Sequence, residues 1–248
     1  MPYDLLVAEP TSARSQPVAF LVRDPRHGPL PGLLLILTVV TGLVDAVSIL
    51  ALGRVFVANM TGNVAFVGFA LAGAPGFSLS ASLFALAGFL VGAGGGGQII
   101  SRSTDRGLIL SRSVAAEVVL MAVAAVISQV GAVPYGTATK DAVAAVTAVA
   151  MGVQNAMARR LAVPDMTTTV LTMTLTGLAS DVRTGNTSAV IRRLLAVSAM
   201  LIGAVAGALL VLHVRPSAAL EVAGGLTAVV GVGAFGVTRR PYPWRSTL

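Results

Sequence analysis

The 248-residue chain contains no cysteine, which excludes disulfides, thiol catalysis and thiolate metal sites. Histidine occurs twice, at His27 in the N-terminal tail and His213 at a membrane edge, too far apart in topology to share a site. No zinc-binding or nucleophile motif is present, so neither an enzyme nor a bound cofactor or metal is expected. Gly94 to Gly97 sits within an apolar stretch and not between a strand and a helix, which rules against a phosphate-binding loop. Charge is scarce too: Asp, Glu, Lys and Arg make up 11% of the residues, against roughly 25% in soluble domains. Lysine occurs once, at Lys140, so 16 of the 17 basic residues are arginines. A net charge of +7 would suggest nucleic acid in a soluble protein, but these arginines are scattered among loops and tails, as in cytoplasmic segments of membrane proteins. Nucleic acid is not an expected partner.

What is abundant is apolar surface, 55% of residues with a mean hydropathy of +0.86, which identifies an integral membrane protein whose first partner is the lipid bilayer. Six stretches, 33–52, 78–100, 114–133, 142–158, 194–212 and 218–237, are long enough to span, since about 20 apolar residues cross the hydrocarbon core. The first begins after a polar, proline-bearing tail, so no cleaved signal peptide is expected. The expected organisation is a disordered cytoplasmic tail (1–31), one membrane domain (32–237) and a short cytoplasmic tail (238–248).

Within the membrane domain a polar segment occurs twice. Arg54-Val-Phe-Val-Ala-Asn-Met-Thr-Gly-Asn-Val64 recurs 106 residues later as Arg160-Leu-Ala-Val-Pro-Asp-Met-Thr-Thr-Thr-Val170, with five of eleven positions identical. The likeness extends further: Gly42-Leu-Val-Asp45-Ala46 matches Gly152-Val-Gln-Asn155-Ala156, Gly92 and Gly96 match Gly203 and Gly207, and Ser113 to Glu117 matches Ser217 to Glu221. The order is the same in both halves, about 32–133 and 140–237, which is how many transporters are built.

The arginines decide how these halves cross. If residues 55–71 and their counterpart only enter and leave, there are six spans; a cytoplasmic N-terminus then places 14 basic residues inside and only Arg54, Lys140 and Arg215 outside. If both cross, eight spans in parallel repeats result and the split falls to 10 against 7. The positive-inside rule favours an all-α protein of six transmembrane helices and two re-entrant half-helices in two inverted repeats, with both termini cytoplasmic. Residues 64–73 would make a helix about 15 Å long, roughly half a hydrocarbon core.

Two half-helices starting near Thr61 and Thr167 would meet near the midplane, where their free N–H groups and dipoles suit an anion or a polar group. Asn59, Thr61, Gly62 and Asn63 in the first half, with Asp165, Thr167, Thr168 and Thr169 in the second, are the candidate solute-binding residues. The same residues would also serve simply to cap and close the two breaks. Asp45 is a carboxylate inside an apolar span, opposite a neutral repeat partner, Asn155. Such a group costs a few kcal/mol unless paired, protonated or wet. It is either a proton- or cation-coupling acid or a structural partner of Arg54. Asp165 has a similar alternative, an ion pair with Arg159 or Arg160. Glu117 and Glu221 are expected near span N-termini, where a carboxylate favours the dipole. Glycines at Gly88, Gly92, Gly96, Gly203 and Gly207 have the spacing for close helix approach, within one chain or in a homo-oligomer.

At Gly42-Leu-Val-Asp45-Ala46, Phe56-Val-Ala-Asn-Met-Thr-Gly-Asn63 and Gly152-Val-Gln-Asn155-Ala156 the chain resembles the YoaK family of bacterial integral membrane proteins, from about residue 32 to 237. It departs from the expected pattern in the run Thr167 to Thr169, where a Thr-Gly pair should follow the first threonines and comes only at Thr176-Gly177. The resemblance implies a multi-pass protein of the bacterial plasma membrane and supplies no substrate. The resulting expectation is a transporter or channel for a small polar or anionic solute. The alternative, of a different class, is a non-transporting scaffold or regulator acting through its glycine-rich faces.

Overall fold

A computed structural model describes residues 27–164, 171–239 and 244. Its eight elements of regular structure among the described residues are all helices: α1 (Leu30–Ala51), α2 (Met60–Leu71), α3 (Leu79–Ser101), α4 (Arg106–Val130), α5 (Thr137–Leu161), α6 (Leu171–Thr184), α7 (Thr187–His213) and α8 (Pro216–Thr238). Local chemistry sets their ends. Pro31 falls in the first turn of α1 and Pro216 opens α8, positions where a missing N–H breaks no helical bond. Side-chain oxygens of Ser78, Asp105 and Asn186 accept from the first backbone N–H groups of α3, α4 and α7.

Six of these helices, α1, α3, α4, α5, α7 and α8, are long and apolar enough to cross a bilayer. Several extend beyond their apolar stretches. The apolar run at 114–133 belongs to a helix that starts at Arg106, because Asp105 caps it there and arginine stems tolerate the interface. This corrects the expected place of Glu117: it lies in the middle of α4, not at its start. Glu221 does lie near the start of α8, half-exposed and paired with Arg215 at 3.1 Å. The remaining two helices are short, 12 residues in α2 and 14 in α6, or about 18 and 21 Å against a core of roughly 30 Å.

Lipid tails are as apolar as the side chains they would replace, so association inside a membrane depends on close packing rather than on removal from water. Glycines provide that closeness in two crossings. On α3 and α5, a Cβ at Gly92 would lie 2.0 Å from Val149 O and one at Gly152 2.3 Å from Phe89 O. On α7 and α1, a Cβ at Gly203 would lie 2.1 Å from Val39 O and one at Gly42 2.4 Å from Met200 O. The five glycines with small-residue spacing, Gly88, Gly92, Gly96, Gly203 and Gly207, all face another helix of the same chain.

The order of these contacts gives the helix directions. Gly88 and Gly92 meet Ala145 and Val149, and Gly203 and Gly207 meet Val39 and Leu43, so α3 is parallel to α5 and α7 to α1. Val114 meets Gly231 and Met121 meets Gly224, so α4 and α8 are antiparallel. Further packing joins α4 to α5, α1 to α8, α2 to α3 and α6 to α7. Two apolar clusters fill the interior. One contains Leu43, Val47, Met121, Met151 and Leu220; the other, toward the opposite end, contains Leu34, Leu37, Val114, Met157 and Val230. Trp244, from the segment expected to be a tail, is buried in the second cluster and stacks against Gly28.

Candidate functional site

Leaving α1, the chain reverses at Gly53 and Arg54, with φ of +94° and +56°. Glycine adopts this conformation freely, whereas arginine does so only under constraint. The chain then runs back beside α1. Val55 N donates to Ser48 O (3.4 Å), and the backbone N–H groups of Val57 and Ala58 lie near the Asp45 carboxylate. Met60 begins α2 two residues later, so that helix starts beside Asp45, six residues or about 9 Å before the last residue of α1. After α2 the chain returns to its point of departure, where Ser78 N donates to Gly53 O at 3.3 Å. Residues 53–78 are thus an excursion that begins and ends at one end of the bundle.

Aromatic packing holds the excursion in shape. Phe66 lies 5.4 Å from Phe56 and 5.0 Å from Phe77, centroid to centroid. Gly62 makes room for this, since a Cβ there would sit 2.5 Å from the Phe56 ring. Asn63 is fully buried; its amide oxygen accepts from Phe56 N at 2.8 Å and its amide nitrogen donates to Phe56 O. Both ends of the Asn63 side chain therefore close the turn instead of facing the bundle interior. Asn59 and Thr61 are exposed, and Asn59, at the N-cap position of α2, makes no side-chain capping bond.

Asp45 is buried, and its Oδ1 has no hydrogen-bond partner. The pairing with Arg54 does not form. Arg54 is exposed, with its guanidinium 5.8 Å from the Phe77 ring centroid and beside Gly76. Asn155, on α5, is half-buried and donates to Met151 O at 2.9 Å. Asp165, Thr167, Thr168 and Thr169 lie outside the described residues, as does any pairing of Asp165 with Arg159 or Arg160. The Thr176-Gly177 pair lies inside α6. There the Arg193 side chain of α7 packs over Gly177 and its Nε pairs with Asp181 at 3.1 Å. The structure thus brings Asp45 together with the turn that starts α2.

A second polar feature is absent from the sequence reading. Between the two apolar clusters lie buried polar residues from four helices: Thr38 and Thr41 of α1, Glu117 of α4, Gln154 of α5 and Thr227 of α8. Gln154 Nε2 donates to Thr41 Oγ1 at 2.9 Å, and the threonine hydroxyls donate to carbonyls of their own helices, Leu34, Leu37 and Ala223. Glu117 is fully enclosed, with neither carboxyl oxygen hydrogen-bonded, and Gln154 Oε1 is likewise without a partner. The available signal was Glu117 twelve residues beyond Asp105, a strong helix cap, which puts the carboxylate at mid-helix.

The family described as "Protein of unknown function (DUF1275)" matches residues 33–233, most of the chain. The chain is 31% identical over 153 residues to the UPF0700 transmembrane protein YoaK of Bacillus subtilis (strain 168), a match covering 60% of this chain and 66% of that protein, just under two thirds of its length. No solved structure matches. With six membrane-length helices and a transmembrane relative, the chain is a multi-pass membrane protein that belongs to the DUF1275, YoaK-like family.

Proposed function

We propose that the protein is a plasma-membrane transporter or channel for a small polar solute, with no enzymatic activity, and that the turn beside Asp45 forms part of its pathway. The observation that carries this reading is the excursion of residues 53–78. It brings a helix start, with an uncapped Asn59 and an exposed Thr61, back alongside a spanning helix to a buried carboxylate. Irregular backbone at membrane depth is tolerated where it is buried in protein or lines a water-filled cavity. An anionic solute would meet Asp45 at this point and would need that carboxylate neutralised. An uncharged polar solute would not.

Inverted repeats belong to the same reading. Supporting them, Gly42 and Gly152 occupy like settings 110 residues apart, Gly42 against Gly203 and Met200 O, Gly152 against Gly92 and Phe89 O. Exchanging the halves turns the α1–α7 contact into α5–α3 and the α1–α8 contact into α5–α4, while α4–α8 maps onto itself. The matched helices run in opposite directions, as inversion requires. Most arginines of the described residues lie at the end of the bundle that holds Arg102, Arg159 and Arg192, which argues for that end being cytoplasmic.

Thermal unfolding of the purified chain across a panel of sugars, polyols, amides, amino acids and small anions tests the function. Binding of a transported solute raises the midpoint. Thr61→Val, which alters an exposed hydroxyl at the start of α2, is expected to weaken that response without lowering stability in the absence of solute. A wild-type protein indifferent to the whole panel would favour the scaffold reading instead.

A further inference from the structure

We infer that Glu117 is the centre of a binding site for one small monovalent cation, a proton or a sodium ion, enclosed where α1, α4, α5 and α8 meet. A carboxyl group in a bilayer interior needs a donor, a cation or a proton, because water does not satisfy it there. Glu117 has no donor: it is fully enclosed, and both of its oxygens lack a hydrogen-bond partner.

The surrounding layer is rich in acceptors, its threonine hydroxyls are committed elsewhere, and the donors left over, the Ser113 hydroxyl and one N–H of Gln154, make no bond to Glu117. Thr38, Thr41 and Thr227 each donate to a backbone carbonyl of their own helix, and Gln154 donates to Thr41. Gln154 Oε1 remains unpaired in the same layer. A buried carboxyl group that no donor reaches, with an unpaired amide oxygen in the same layer, is the chemistry that takes up a proton or a dehydrated hard cation.

No titratable side chain on the neighbouring helices offers an alternative partner. On α1, Asp45 is one turn beyond Thr41 and is itself an acid. On α5, Lys140 and Asp141 lie in the first turns, with Asp141 bonded to Ser80, and Arg159 and Arg160 lie in the last. On α8, Glu221 is engaged by Arg215 and Gln129 near the start. On α4 itself, Arg106 and Arg112 lie toward its N-terminal end, and α3 carries no titratable residue. Contacts of Val114 with Gly231 and Met121 with Gly224 instead place Glu117 at the level of Thr227.

The site is independent of whether a solute moves through the protein, so its test can fail without touching the transport reading, and the reverse. Unfolding midpoints of the full chain in detergent are measured in two titrations, acidification with choline as the only cation, and sodium replacing choline at fixed pH and ionic strength. Beyond half-saturation, each tenfold rise in the bound cation should multiply the folded-to-unfolded ratio about tenfold. The titration that responds identifies the ion. Glu117→Gln keeps the side-chain volume and supplies its own N–H donors, and it should fold with that part of the response gone. In wild-type protein, a hydrophobic carbodiimide, which attacks protonated carboxyls, should modify Glu117 in a manner suppressed by alkali or by sodium, as read by mass spectrometry. The inference is overturned if Glu117→Gln retains the wild-type response, if wild type is flat in both titrations, or if modification of Glu117 is unaffected by either.

Discussion

Asn63 shows how a side chain at a candidate solute site can be committed to structure. It was conspicuous in the sequence as a polar residue in an apolar segment, and it is buried with both ends of its amide bonded to the Phe56 backbone. Replacing it by alanine should leave those backbone groups unsatisfied and cost about 1–3 kcal/mol. A lowered unfolding midpoint for Asn63→Ala, with Thr61→Val close to wild type, is the expected pair of results. Equal midpoints for Asn63→Ala and wild type would mean that water reaches Phe56. The two intramembrane acids illustrate the converse limit. Asp45 was legible because it interrupts an apolar run, but its neighbours Val57 and Ala58 come from a chain reversal that composition does not reveal. Glu117 was misplaced because the apolar run begins only at residue 114, whereas the Asp105 cap and the packing of α4 on α8 put it at mid-helix.

At the scale of helices, stability rests on two glycine-mediated crossings, so substitutions there should act very differently from those at neighbouring glycines. Valine at Gly92 or Gly203 would have to push two backbones apart. Each should exceed the usual overpacking penalty of about 1–3 kcal/mol and reduce the yield of folded protein in gel filtration. Gly95→Ala meets open space, so it should leave stability unchanged or raise it by up to about 1 kcal/mol through helix propensity. A similar loss at Gly95 and Gly92 would contradict the assigned crossings. Asp105→Ala removes the side chain that accepts from Gly107 N and Leu108 N, and should lower the unfolding midpoint by an amount equivalent to about 0.5–2 kcal/mol. Small-residue spacing was visible in the sequence, but the choice between packing inside one chain and packing between copies came from the contacts. The five spaced glycines meet helices of the same chain, whereas Gly94, Gly95 and Gly97 meet nothing within 4 Å.

For the whole molecule the decisive quantity is the side of the membrane on which each loop lies. The chain has no native cysteine, so Ala74→Cys, in the loop after α2, and Thr104→Cys, between α3 and α4, can each report without background. Intact cells treated with an impermeant thiol reagent should label Ala74→Cys and spare Thr104→Cys. The opposite pattern would make α2 a full span, turn the repeats parallel and remove the turn beside Asp45 from the membrane interior. Lengths favour the first outcome, since 12 residues of helix reach about 18 Å.

Apolar run length alone establishes the class of the protein and its six membrane-length helices, because a bilayer admits only helices of sufficient apolar length and that requirement is local and additive along the chain. The sequence also marked the polar segment after α1 as exceptional, since asparagine and threonine disrupt an apolar run wherever they occur. Tertiary structure decided what those residues touch. The pairing of α1 with α7 and of α3 with α5, the return of the chain to Asp45, and the enclosure of Glu117 between apolar clusters all depend on contacts between distant segments. The physical reason is that helix formation needs only neighbours within a turn, whereas the environment of a buried polar group is set by whichever helices close around it.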